Sequence, residues 1–287
     1  MSSKKQCLIE LNISLLIMSA TTLFPKLIDL PVNYIIFGRS VIATLVLYLY
    51  LKIIKKSSFN FKNKSYLIIV LTGVLMALHW LTLFKAIQIA SVSIGIISFF
   101  TYPVMTIFLE PLFYKTKLNA NDFILSLLVI IGVFFILPNY QLSNSVTQGV
   151  LWGLVSALLF ALRNIISKGL LKKYSGEEVM MSQSFISAVF ILPSIFIFSV
   201  GIDIGYPNLM KIIVLGIFFT ALPHTLLIRS LKALKPKTVS ILSSIQPFYC
   251  VLMALLFLNE VPTLQVVFGG GFILSAVAYE TYNCRKV

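Results

Sequence analysis

Arg39 and Arg163 each stand inside a long apolar run. Ionisable groups in such runs are costly and usually face a cavity or a partner. A guanidinium held there offers a planar fork to a carboxylate or phosphate. Arg163, followed by Asn164, lies about 15 residues into its run, too deep for easy snorkelling. Glu110 stands at similar depth in another run and is its candidate ion-pair partner. Direct contact of Arg163 with a substrate is compatible with that pair if the substrate competes for it. Arg39 lies nearer the outer end of its run, where snorkelling is the structural alternative.

His79 and Trp80 lie about 21 Å from the start of their run at 1.5 Å per residue. His224 follows Pro223, a helix kink. Each histidine either lines a cavity or hydrogen-bonds a neighbouring helix, and either could titrate near neutral pH. Pro103 and Pro247 fall inside apolar runs and free a carbonyl in each. Phe100 and Tyr102 flank the first, Gln246 and Tyr249 the second. An aromatic and an amide beside a break make a recognition surface, with core packing as the alternative. No cluster has the spacing of a metal site or a catalytic set.

These side chains must be positioned by membrane-spanning helices. The chain is 59% hydrophobic and 11% charged, against about 25% charged in soluble domains. Ten segments approach the roughly 20 apolar residues a span needs, near 8–24, 33–54, 65–84, 91–114, 121–138, 148–171, 178–200, 209–229, 238–258 and 262–282. Lys4 and Lys5 precede the first run without a small-residue cleavage site after it, so that run reads as an uncleaved span. With the N-terminus inside, eighteen lysines and arginines fall on the cytoplasmic side and three outside. That asymmetry fixes the orientation and puts both termini in the cytoplasm. The +14 net charge punctuates apolar spans, so no nucleic-acid partner is expected. Cys7, Cys250 and Cys284 read as unpaired thiols.

Residues 77–103 have an echo at 221–247, at a constant offset of 144 without a gap. Both copies read apolar span, basic residue, short turn, apolar span, proline. Five spans per half is an odd number, so the second half enters the membrane inverted. The charges agree: the turn after the third span holds only Lys85, whereas its echo holds Arg229, Lys232, Lys235 and Lys237. The expected fold is all-α and integral to the membrane, with inverted five-helix repeats at 1–140 and 147–284. Such folds place a substrate near the midplane between the repeats. On this reading His79 and Trp80 lie in the opposite leaflet from His224. Lys85 and Arg229 are expected to snorkel, and Glu260, beside Pro262, to cap the tenth helix.

Three runs carry a family resemblance: SVSIGIISFFTYPVMTIFLEPLFYKTKL, ALRNIISKGL and KPKTVSILSSIQPFYCVLMALLFLNEVPT. With them the chain resembles the drug/metabolite transporter superfamily, specifically its ten-helix EamA-type members. The family's glutamate after the ninth span matches Glu260, while the equivalent first-half position is Thr116. The resemblance implies a bacterial cytoplasmic-membrane carrier with its cavity lined by helices one to four and six to nine. Helices five and ten would pack peripherally, and Gly269, Gly270, Gly271 and Ser275 in the tenth allow close helix approach.

The function expected is secondary transport of a small polar metabolite, amino-acid-like or anionic, by alternating access. Glu110 with Tyr102 and Tyr249 would instead serve a cationic or quaternary amine substrate. A membrane-embedded transferase and a non-transporting scaffold are the alternatives of another class. The expected partners are a small-molecule substrate and membrane lipid, with proton or ion coupling and a homodimer as further options. Neither cofactor nor metal is expected.

Overall fold

The computed structural model describes residues 4–56, 63–114, 118, 120–136, 143–198 and 203–284. These residues form helices and the turns between them, without a strand among them. In chain order the helices are α1 (Lys4–Thr21), α2 (Phe24–Leu27), α3 (Val32–Leu49), α4 (Asn63–Ile89), α5 (Val92–Phe99), α6 (Tyr102–Phe113) and α7 (Ala120–Ile136). Then follow α8 (Ser145–Leu170), α9 (Gly176–Phe198), α10 (Tyr206–Gly216), α11 (Leu222–Ser230), α12 (Pro236–Leu242), α13 (Gln246–Leu258) and α14 (Leu264–Cys284). Among the described residues, seven continuous stretches are long and apolar enough to cross a membrane, at Lys5–Leu27, Val32–Ile54, Tyr66–Ile89, Val92–Phe113, Ser145–Leu170, Gly176–Ile197 and Tyr206–Ser230. They coincide with expected spans one to four and six to eight. The other three expected segments are also helical, at α7, at α12 with α13, and at α14. Lys115, Thr116, Lys117, Lys62, Arg285 and Lys286 lie outside the described residues.

The prolines act where the sequence places them. The fourth segment breaks between α5 and α6 at Phe100–Thr101, immediately before Tyr102 and Pro103. The ninth breaks at a 3-10 turn, Ser243–Ile245, immediately before Gln246 and Pro247. The breaks fall 144 residues apart, the offset between 77–103 and 221–247 in the sequence. The eighth segment carries a π turn, Ile217–Ala221, ahead of Pro223. Pro223 has no N–H for the Phe219 carbonyl four residues back. The Thr21 hydroxyl on α1 donates to that carbonyl at 3.1 Å instead.

Local caps set the other boundaries. Asn144 accepts from the Val146 and Thr147 amides at 2.8 and 3.4 Å and starts α8. Ser175 and Glu178 form a reciprocal capping box at α9. Asn259, in the left-handed region at φ 53°, ends α13.

Helices of one half pack on helices of the other. The α4 helix lies against α8 and α9, while α1 and α3 lie against α11 and α10. The α7 and α14 helices pack on each other, and Phe135 stacks on Phe272 at 5.4 Å. Two glycines let backbones approach: a Cβ at Gly73 would sit 2.5 Å from Ile186, and one at Gly216 would sit 2.6 Å from Ile42. Ile42 and Ile186 are themselves one repeat offset apart.

Candidate functional site

The chemistry gathers where α3, α4 and the eighth segment meet. Arg39 on α3 is fully buried. Its Nε donates to the Thr220 hydroxyl at 2.9 Å. Thr220 sits in the π turn and donates in turn to the Leu215 carbonyl at 2.7 Å, which fixes its lone pairs toward the arginine. The guanidinium carbon lies 4.2 Å from the Trp80 ring centroid and 5.1 Å from that of Phe84. The Trp80 ring meets the His224 ring edge-on at 5.2 Å. Arg39 Nη1 and Nη2, Trp80 Nε1 and His224 Nδ1 are all buried without a hydrogen-bond partner.

Two expectations are corrected here. Arg39 does not snorkel; Gly216 lets the eighth segment close over α3 and seals it in. Trp80 and His224 do not stand apart in separate leaflets but touch. A helical side chain leans toward its own N-terminus. Both residues stand late in their helical segments, so both lean back toward mid-helix. In addition, α4 runs on to Ile89, past the expected end at 84, which moves Trp80 closer to the middle.

A second cationic centre lies on α8. Arg163 is buried, and all three of its nitrogens are engaged. Nε and Nη2 donate to Gln183 Oε1 at 3.0 and 2.7 Å, and Nη1 donates to Asn164 Oδ1 at 3.0 Å. The Met76 and Met180 sulfurs approach Nη2 at 3.3 and 3.7 Å. Gln183 is itself held by donating to Ser167 at 2.8 Å. The expected pair with Glu110 is therefore not made. Depth along a span is readable from sequence, but the face of the helix is not. Gln183 was missed, although it stands one repeat offset after Arg39 and is an amide in mid-span.

His79 bridges to α8, its Nδ1 lying 2.7 Å from the Ser156 hydroxyl. Its ring packs against Phe99 and Phe160 at 5.2 and 4.7 Å. Phe100 and Tyr102 complete this aromatic group, their rings 5.4 Å apart. The Tyr102 and Ser243 side chains are both buried, each at the break of its own segment. Gln246 is buried at the start of α13. Arg39 and Arg163 both lie within electrostatic reach of His79 and His224. The described buried acids, Glu10, Glu110 and Glu177, are all engaged at helix ends instead.

Glu110 and Tyr249 stand outside this interior. Glu110 accepts from the Lys237 amide at 2.9 Å and so caps α12. Tyr249 borders a side cleft of about 280 Å³ together with Asn12 and Leu16. Glu260 does not cap the tenth helix. It accepts from the Val92 and Ser93 amides, each at 2.9 Å, and from the Ser93 hydroxyl at 2.8 Å, and so caps α5. A carboxylate is favourable at a helix N-terminus, and the one beside it in sequence was not the one it reached. The two caps are reciprocal, since the glutamate ending the fourth segment starts the ninth and the glutamate ending the ninth starts the fourth. Lysines do the complementary work. Lys26 donates to the Gln88 and Ala90 carbonyls at 3.1 and 3.2 Å, and Lys168 to those of Leu231 and Leu234 at 3.1 and 2.6 Å.

Arg229 does not simply snorkel either. It pairs with Glu10 at 2.7 Å and Glu177 at 3.5 Å, and Lys55 reaches Glu177 at 2.8 Å. At one end this cluster ties α1, α9 and α11 to Lys55, which follows the π turn Tyr50–Ile54 that continues α3. A cleft of about 340 Å³ runs from Glu177 and Arg229 along the seam between α3 and α11, past Leu47 and Thr225 to Ala221.

The EamA-like transporter family matches this chain twice, at residues 7–137 and 147–280. The chain belongs to the EamA-like transporter family. It is therefore a multi-pass membrane protein of a transporter family. An uncharacterized transporter of Bacillus subtilis, YxxF, is 25% identical over 280 residues, covering 96% of this chain and 89% of that protein. An uncharacterized transporter of Archaeoglobus fulgidus is 28% identical over 192 residues, covering 67% of this chain and 68% of that one. A solved crystal structure shares the fold, with a TM-score of 0.76, 13% identity and coverage of 99% of this chain and 100% of that one.

Proposed function

We infer that this EamA-like chain is a secondary transporter moving a small polar metabolite, amino-acid-like or anionic, across the cytoplasmic membrane by alternating access. The moving parts are two inverted five-helix repeats, 1–140 and 147–284, with both termini in the cytoplasm. The observation that carries the reading is the pair of breaks in the fourth and ninth segments, at equivalent places in the two halves. Irregular backbone at membrane depth is tolerated where it is buried in protein or lines a cavity. Broken helices at a repeat interface are where carriers of this architecture hold their substrates.

Three further observations support it. The caps by Glu110 and Glu260 exchange ends, as antiparallel equivalents would. The buried Arg39 guanidinium keeps two nitrogens without a partner and has no acid against it among the described residues, which favours an anionic or zwitterionic cargo over a cationic one. The ion cluster of Glu10, Lys55, Glu177 and Arg229 falls at the end the charge asymmetry assigns to the cytoplasm, where it would act as a closed inner gate. His79 and His224 are the groups available for proton coupling.

The test is counterflow in proteoliposomes loaded from a broad panel of polar metabolites. Substrate-dependent exchange of at least one amino acid or organic anion is expected. Folded, correctly inserted protein that exchanges none of them overturns the reading.

A further inference from the structure

We propose that Arg39, and not Arg163, is the group that recognises the cargo, and that it does so by gripping a carboxylate edge-on between Nη1 and Nη2, with Trp80 and His224 supplying further hydrogen bonds. This rests on the transport reading above and names the chemistry of its site.

The argument is a comparison of two buried forks. A guanidinium has five N–H donors. Those of Arg163 are spent on Gln183, Asn164 and two thioethers. Only the Nε of Arg39 is spent, on Thr220, and its two terminal nitrogens are sealed from water with nothing to donate to. A buried charge without partners is strongly unfavourable, so such a fork points to an acceptor that comes and goes.

The repeat explains why the protein supplies no acceptor. Arg163 and Gln183 have first-half counterparts one offset earlier, Ser19 and Arg39. In the second half the long side chain at 163 reaches across to the amide at 183. In the first half position 19 is a serine whose hydroxyl donates to its own helix, at the Leu15 carbonyl, 2.8 Å away. The counterpart contact is thus missing, and the Arg39 fork is left over.

Geometry restricts the ligand. Trp80 covers one face of the guanidinium at 4.2 Å, so approach is in the guanidinium plane. Thr220 occupies the Nε side, so the open edge is the one bearing two parallel N–H bonds. Two parallel donors match the two oxygens of a carboxylate. Trp80 Nε1 is a donor only, and His224 Nδ1 can donate or accept according to tautomer. Together they suit an organic acid bearing one further polar substituent, such as a 2-amino or 2-hydroxy acid. The route is the cleft along the seam between α3 and α11, which is lined at one end by Ala221, beside Thr220, and at the other by Arg229 and Glu177.

The chain's two tryptophans are Trp80 and Trp152, the latter 41% exposed on α8. In a Trp152→Phe background Trp80 becomes the sole indole reporter, stacked on the residue in question. The purified protein is titrated with acetate, L-lactate, L-alanine, L-glutamate, inorganic phosphate and choline, while tryptophan emission is followed. A saturable change with at least one carboxylate is expected. It should weaken at least ~30-fold in Arg39→Ala and in Arg39→Lys, since a lysine keeps the charge but not the fork. It should stay within about threefold in Arg163→Gln. If Arg39→Ala does not elute as a folded species, Arg39→Lys and Thr220→Val, which frees the fork to swing, carry the comparison. Binding unchanged by the Arg39 variants, or lost only with Arg163→Gln, overturns the proposal. Response to phosphate alone overturns the carboxylate assignment. No response to any carboxylate means the fork meets ordered water only, and the proposal fails. Counterflow of another cargo would then leave the transport reading standing, whereas its absence would remove both.

Discussion

Replacing Glu177 by glutamine tests whether the ion cluster is a gate. Glu177 is the hub, with Lys55 Nζ at 2.8 Å and Arg229 Nη1 at 3.5 Å on the same carboxylate oxygen. Its side chain is only 4% exposed, whereas those of Lys55 and Arg229 are 38% and 33% exposed. Solvent around the cations screens each contact, so about 1 kcal/mol apiece is the appropriate scale. Losing both removes about 2 kcal/mol from whichever state contains the cluster. If only the inward-closed state contains it, the closed-to-open ratio falls roughly 30-fold. Thr225 borders the cleft below the cluster and is buried, so a cysteine there reports opening. The assay is the rate at which a maleimide labels Thr225→Cys, with Cys7, Cys250 and Cys284 replaced by alanine. Glu177→Gln should raise that rate by ~10- to 30-fold with little change in melting temperature, because a gate shifts a conformational balance and does not hold the fold together. An unchanged labelling rate accompanied by a melting temperature several degrees lower would refute the gate and make the cluster a structural tie.

Two further substitutions separate structural roles from transport roles. Glu260→Gln weakens three contacts at the start of α5, two amides and a hydroxyl; a loss of about 1–2 kcal/mol is expected from the cap and the helix dipole, read as a lower melting temperature with cargo affinity unchanged. Arg163→Ala leaves Gln183 Oε1 buried with neither of its guanidinium donors; a stability loss of about 2–3 kcal/mol is expected, and transport should fall only in proportion to the folded fraction, as measured by counterflow normalised to monodisperse protein.

Much of the architecture was legible because it is written in repetition and in proline. The offset of 144 between 77–103 and 221–247 anticipated two breaks at equivalent places, and Pro103 and Pro247 located them to within a few residues. The interior polar residues were also legible, since lipid makes each of them conspicuous. Their partners were not. Arg163 reaches Gln183 on α9 whereas Glu110 reaches the start of α12, so an argument from depth along ideal spans paired them wrongly. Glu260 was assigned to the helix next to it in sequence, whereas its carboxylate serves α5, 167 and 168 positions away. Trp80 and His224 were separated by counting residues along ideal spans, a method blind to where helix ends fall and to the lean of side chains. Gln183 drew no attention because an uncharged amide is a weak signal until the arginine that needs it is placed.

The central claim is that the two halves thread the membrane in opposite senses around a shared polar interior. Lys85, in the last turns of α4, and Lys232, in the turn after α11, stand at the ends of the third and eighth segments, both at exposed positions. Single cysteines at each, in a background free of Cys7, Cys250 and Cys284, can be labelled in intact cells with a membrane-impermeant maleimide. Inverted halves require Lys85→Cys to react from outside and Lys232→Cys to react only after the membrane is opened. Reaction of both from the same side would contradict the account at its root.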